Sequence, residues 1–548
     1  MQQQQHPQIS NNTQFVGVTQ DESGRPLYII RDQGQKSRNR GIAAHKANIA
    51  VARALSSTLQ TSLGPRGMDK ILQSQDYELT ITNDGATILD KMEVENHVAK
   101  LLVDLSKCQD NEIGDGTTGV VVIAGALLEQ AETLLDKGIH PIRISEGYEQ
   151  ACDIAIKELE KIAILNQVSR DKLIKSAKTS LGSKIINRHH DHMSELAVDA
   201  VLTVKDARGD VDFDLIKIKT KIGGKLEETQ LISGVVLDQD MSHQNMQKDF
   251  TNAKIAILTC PFEPPKPKTT YKIDIDSAEK YNELYRQEQS FFIDMVDRVK
   301  KSGAQVVFCQ WGFDDEANSL LQQAGISAVR WAKGEDIEAL AITTQARIVA
   351  RFEDLSADKL GVAASIKVES LGTSSDKVLI VKGEKQSLCT LFIRGGNALI
   401  LDEAERSLHD AMCVVRNLVR DPRVVCGGGA AEIYCSLKIL EFLSQGTEQY
   451  AMRAFSEALE SIPLNLARNS GLNPIQSLAD ARKLQKEQNS GVFGINCVVG
   501  STGAGDMREQ SVFESFNSKR QQLMLATQVV RMILKIDEVI DDNEGMQQ

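Results

Sequence analysis

Glu112-Ile113-Gly114-Asp115-Gly116-Thr117-Thr118-Gly119 is the stretch that decides how this chain is read. Its three glycines leave the backbone free to approach a bulky ligand closely. The Thr117 and Thr118 hydroxyls and successive N–H groups suit phosphate oxygens. Asp115 stands where a carboxylate can hold the Mg²⁺ that accompanies a nucleotide. The residues that follow, Thr117 to Asp136, are good helix formers and end at Gly138. A glycine loop feeding a helix N-terminus is an anion site, because unpaired N–H groups and the helix dipole both favour negative charge. The expected ligand is ATP.

The spacing alone leaves alternatives open. Gly114–Gly119 formally matches G-x-G-x-x-G, the dinucleotide fingerprint, but that motif follows a strand and the segment here is helical. No G-x-x-x-x-G-K-[ST] occurs, so the chain is not an ordinary P-loop ATPase. A tight turn between two helices fits the same residues.

Upstream, Gly41 to Leu63 carries apolar residues at helical spacing and stops at Gly64-Pro65. Glu78–Thr82 alternates as a short strand, Asn83-Asp84-Gly85 is a turn, and Asn96 to Cys108 is an amphipathic helix. Pro141 opens another helix, running to about Ile164. From about Val168 to Gly223 the texture is mixed. From Leu231 strand-like runs (SGVVLD, AKIAILTC, AQVVFCQW, SAVRW, RIVARF) alternate with helical segments near 277–301, 314–324 and 335–346, the pattern of an α/β module. Prolines 261, 264, 265 and 267 forbid regular pairing in one insertion, which is expected to project as an extended arm leading into a helix. Strands resume at Lys377–Lys382 and Thr390–Arg394, and a long helix spans Ala398 to Arg420. Gly427-Gly428-Gly429 opens a further helix, and the last part is mainly helical. Helical ends thus flank a mixed middle, so the chain is expected to leave a first domain and return to complete it.

At 548 residues, with 41% apolar and 25% charged residues, this is the composition of a multidomain globular protein. A net charge of −12 argues against a nucleic-acid surface. No apolar run is read as reaching the roughly 20 residues that span a bilayer. The start, MQQQQHPQISNNTQ, is read as a disordered polar tail. Nine cysteines never form C-x-x-C and lie in apolar segments, as buried reduced thiols do. Asp84 is either a turn cap or a catalytic carboxylate. Asp410 sits beside the apolar stripe of its helix, where an unpaired carboxylate is costly. His409 is read as packed or surface, and the cluster His189-His190-x-His192 as a solvated loop.

Several blocks occur in one order: TSLGPRGMDK (61–70), TNDGATIL (82–89), EIGDGTTGVVVIAGALL (112–128), DEAERSLHDAMCVVRN (402–417) and GGGAAE (427–432). On these blocks the chain resembles the group II chaperonins from about residue 30 to 540. The segments 137–151 and 521–539 narrow the likeness to the eukaryotic cytosolic branch. The resemblance implies an α+β multidomain chaperonin fold. A mainly helical equatorial ATP-binding domain would span 30–160 and 423–540, after a tail over 1–29. An intermediate hinge domain would take 161–225 and 388–422. An α/β apical substrate-binding domain would fill 226–387, with a helical lid protrusion near 262–282, and 541–548 would be a C-terminal tail.

The family also implies two stacked eight-membered rings of sibling subunits in the cytosol, with neither a membrane nor a nucleic acid as partner. These rings enclose non-native proteins such as actin and tubulin and fold them with ATP and Mg²⁺. Carried over, Gly64, Gly116, Thr117, Thr118 and Gly119 would contact the phosphates, with Leu63 and Pro65 also in the nucleotide site. Asp115 would bind Mg²⁺, and Asp84 and Asp410 would position and activate water. Lys184 would sense the γ-phosphate, with Ser183 beside it in the nucleotide site, Gly428 would pack on the nucleotide, and Glu514 would meet the ribose. The loop NCVVGSTGAGDM departs from the short turn of many relatives, which puts adenine contacts there in question. A dinucleotide-dependent oxidoreductase and a non-catalytic scaffold of the same fold are the rival readings.

Overall fold

The computed structural model describes residues 39–539 apart from 75–76, 166–168, 264–274, 276, 373–375, 385–386, 444, 499 and 501–502, together with the strands Thr13–Gln20 and Pro26–Asp32. Three hydrophobic cores organise it, nested along the chain. The first joins residues 49–159 to 425–534. A second joins 173–216 to 389–424. The third lies wholly within 235–388.

The first lobe is helical and is built around Thr117–Asp136. Fourteen of the 20 residues in this helix are buried, so it is apolar nearly all round and neighbours cover every face. The helices Ile42–Gln60, Glu448–Leu459 and Phe516–Leu534 pack on it. By length and composition it is also apolar enough to cross a membrane, which corrects the sequence reading that no such run exists. Its burial inside the lobe explains that composition.

The second lobe packs the helices Arg170–Leu181, His190–Val204 and Ala398–Arg420 against a small sheet. In that sheet Cys389–Gly395 is central, parallel to Ile216–Ile222 and antiparallel to Gln230–Ile232. The third lobe has a seven-stranded mixed sheet. Its order is Ser327–Val329, Val306–Cys309, Phe250–Leu258, Gly361–Ser370, Lys377–Gly383 and Gly234–Leu237, with Ile348–Val349 also paired to Phe250–Leu258.

A single strand, Arg423–Cys426, joins the first two lobes. Successive side chains of a strand point to opposite faces. Here Val424 enters the second core and Val425 the first.

Three further readings need correction. Residues 13–20 and 26–32 pair as antiparallel strands, so the tail expected over 1–29 is not structureless there; alternation in TQFVGVTQ and PLYIIRD suits pairing. His189 to His192 lie in helical turns, and the His192 ring is 2.8 Å from the Thr229 carbonyl. The ten-residue strand Gly361–Ser370 had not been recognised, because GVAAS lacks the β-branched run that marks its neighbours. The proline-rich arm lies largely outside the described residues, and the helix beyond it begins at Ala278. All nine cysteines are free, six of them buried.

Candidate functional site

A cavity of about 540 Å³ opens where the first two lobes meet. It collects every residue that the family likeness nominates. Leu63, Gly64, Pro65, Gly116, Thr117, Thr118 and Gly119 form one wall, with Asp115 at the turn. Asp84, Ser183, Lys184 and Asp410 lie beside it, Asp84 within hydrogen-bond reach of Thr117, and Gly428 and Glu514 complete the lining.

The turn before the long helix is shaped by contacts rather than by spacing alone. Gly114 has φ +71, and a Cβ there would overlap Cys413 on the second-lobe helix Ala398–Arg420. Gly116 has φ +78 and leaves the N–H groups of the next residues free at the helix start. Side-chain amides fix the turn from outside. Gln109 donates to the Asp115 carbonyl at 2.8 Å, and Gln522 donates to the Gly116 carbonyl at 3.2 Å. Preceding the turn is the helix His97–Glu112, not a strand, so the dinucleotide fingerprint lacks the context it requires.

Asp84 is both a cap and a site residue. Its Oδ2 accepts from the Thr87 N–H at 2.9 Å and the Thr87 hydroxyl at 2.8 Å, which starts the helix Gly85–Lys91. Its Oδ1 accepts from the Thr117 hydroxyl at 2.8 Å, tying this cap to the phosphate turn. Burial works against its charge, but the Lys184 ammonium and the threonine donors outweigh it and hold the carboxyl below its ordinary value.

Asp410 and Lys184 face each other at 2.8 Å, both from the second lobe. Burial, with added repulsion from Asp84 and Asp110, pushes Asp410 up to about 8, while Lys184 pulls it back. The carboxylates raise Lys184 despite its burial, so it stays charged. Asp115 is raised by burial and lowered by Lys519. Divergent tuning of neighbouring acids is the pattern of a functional site.

Asn83 donates to the Ser183 carbonyl at 3.1 Å, and Asn417 donates to the Ile113 carbonyl at 2.8 Å. Both bonds cross between lobes, so the Asp410 helix is docked on the glycine turn. His409 is exposed, and its ring lies against Phe213 with centroids 5.6 Å apart.

Several residues here escaped the sequence reading. Lys519 bridges Glu432 and Glu514 at 2.6 Å each, almost fully buried. The signal for it was legible: Phe516, Lys519, Leu523, Ala526 and Val530 share one helical stripe, so a lysine occupies an apolar position. Gln109, Gln522 and Asn83 offered no comparable signal, because their partners are backbone carbonyls brought near by folding.

The donor set fits a magnesium nucleotide. It combines free N–H groups and hydroxyls at a helix start with a carboxylate at the turn and a fixed ammonium, Lys184, that acts on Asp84 and Asp115. Among the described residues no cluster of three or more His, Cys, Asp or Glu side chains forms a closed metal site.

The TCP-1/cpn60 chaperonin family pattern matches residues 55–544. The T-complex protein 1 subunit epsilon of Encephalitozoon cuniculi is 47% identical over 527 residues, 95% of this chain and 98% of the relative. The thermosome subunits alpha and beta of Aeropyrum pernix are 40% identical over 528 residues and 41% over 526, each match covering 94% of both chains. On these findings the chain belongs to the TCP-1/cpn60 chaperonin family and, within it, is a group II chaperonin chain of the epsilon-like kind.

Proposed function

We propose that the chain is an ATP-hydrolysing subunit of a cytosolic double-ring chaperonin. Sibling subunits complete its eight-membered rings. Non-native proteins such as actin and tubulin are its substrates, and ATP turnover closes a built-in lid. The observation that carries this reading is one cavity in which a helix N-terminus, Asp115, Asp84, Asp410 and Lys184 converge from two lobes. Family membership supports the assembly and the class of substrate.

The chain's own residues divide the work. The N–H groups at Thr117 to Gly119 and the Thr118 hydroxyl bind the phosphates. Asp115 would hold Mg²⁺, which would supply charge neutralisation when bound. Lys184 faces the terminal phosphate. Asp84 and Asp410 orient the attacking water and take up its proton; positioning and electrostatics supply most of the catalysis in phosphoryl transfer. Because Asp410 belongs to the second lobe and Asp115 to the first, turnover depends on how the lobes dock.

The test is particle size together with phosphate release. The native particle should be of megadalton size, contain sibling subunits and release phosphate from ATP. In that particle Asp410→Ala should keep ATP affinity and lose about 100-fold or more in turnover, the range for a positioned acid–base group. A 60.3 kDa chain migrating alone, or an assembled Asp410→Ala particle with unchanged turnover, would overturn the reading.

A further inference from the structure

Behind the two carboxylates lies a second cavity, of about 700 Å³. Asp84 and Asp410 line both cavities, so these two side chains form the partition between them. The remaining walls come from both lobes. The hairpin strand Leu79–Thr82 and the helices Gly85–Lys91 and His97–Glu112 belong to the first, and Ile216–Ile222 and Ala398–Arg420 to the second.

Asp110, in the last turn of His97–Glu112, lines this second cavity but not the nucleotide cavity. Burial and the neighbouring Asp84 raise its carboxyl to about 6, with Lys184 pulling the other way. Other titratable groups face the space from each side. Glu78 stands beside the hairpin and Lys91 on the short helix, while Asp402, Glu405, Arg406 and His409 come from the second-lobe helix.

Hydrolysis needs two things besides the bound nucleotide. Water must reach the γ-phosphorus opposite the leaving ADP. The water oxygen forms a bond to the γ-phosphorus, and the bond from that phosphorus to the bridging oxygen breaks, its electron pair leaving with ADP. Near neutral pH one proton remains to be carried away. We propose that the second cavity is the inlet for the hydrolytic water and the outlet for its proton, with Asp110 as the positioning residue that passes the proton from the Asp84–Asp410 pair to solvent.

This inference rests on the ATPase reading above. Hydrolysis by the unmodified particle tests that reading, and Asp110 variants in a hydrolysing particle test this one. Asp110→Asn should leave ATP affinity unchanged and lower turnover about tenfold, less than a directly acting base costs. The part of the turnover–pH profile that titrates near pH 6 should vanish. Asp110→Ala should regain turnover when formate is added, since the cavity has room for a small carboxylate that can take the proton. Thr80→Trp, which narrows the cavity without removing a carboxylate, should also slow turnover at unchanged affinity. An unchanged rate and pH profile in Asp110→Asn would overturn the proposal. So would an equal loss in affinity and turnover, or full activity in an assembled Thr80→Trp particle.

Discussion

The two ends of the nucleotide cavity are built on different principles. The phosphate end is over-determined. Gly114 is pressed on Cys413, the Asp115 and Gly116 carbonyls are held by Gln109 and Gln522, and Asp84 is pinned by three donors. The opposite end is walled by Ile495, Cys497, Val498 and Met507, around the short strand pair Phe493–Ile495 and Ala504–Asp506. Val498 there is 62% exposed. Directional bonds fix charge to within tenths of an ångström, whereas an apolar wall only has to exclude water. The first kind of end tolerates no displacement, and the second accommodates a changed loop.

That contrast breaks most severely at the metal. Asp115→Ala should lower ATP hydrolysis by at least about 100-fold and abolish its dependence on Mg²⁺, measured as phosphate release across a magnesium titration. Gly114→Ala comes next. It places a side chain at positive φ and against the docked helix, a strain of roughly 1–3 kcal/mol, so turnover should fall about tenfold while ATP affinity changes less. Steady-state kinetics beside equilibrium binding would show the split.

Lys184→Met sharpens the electrostatics. Asp410 is protonated below about 8 and ionised above it, so a step that needs its carboxylate strengthens as pH rises through that value. Lys184 lowers that pKa, so removing its ammonium should move the limb to higher pH, as read from a turnover–pH profile. The smallest effect belongs to the other end. Val498→Ala should alter ATP affinity by no more than about twofold, the scale of an exposed substitution.

Much of this site was legible because its signals are local. A helix start after Gly116, an Asx turn at Asp84 and an acid beside an apolar stripe at Asp410 each show in a few adjacent residues. Lys519 was equally legible by its stripe and passed unremarked. The helices Thr117–Asp136 and Ala398–Arg420 were readable to the residue, since each keeps one periodicity between clear stops. The strand Gly361–Ser370 was not, because its place in the sheet comes from partners more than 100 residues upstream and only nearer ones downstream.

By itself the sequence determined the glycine turn, the acidic residues and the nesting of helical ends around an α/β centre. These follow from hydrogen-bond demand and periodicity within a few turns of chain. Only the tertiary structure decided that Lys184 pairs with Asp410, that Asp84 reaches Thr117, and that a second cavity with Asp110 lies behind them. Those relations join segments from 33 to more than 200 residues apart. Their energies depend on burial and distance, which exist only once the lobes have docked.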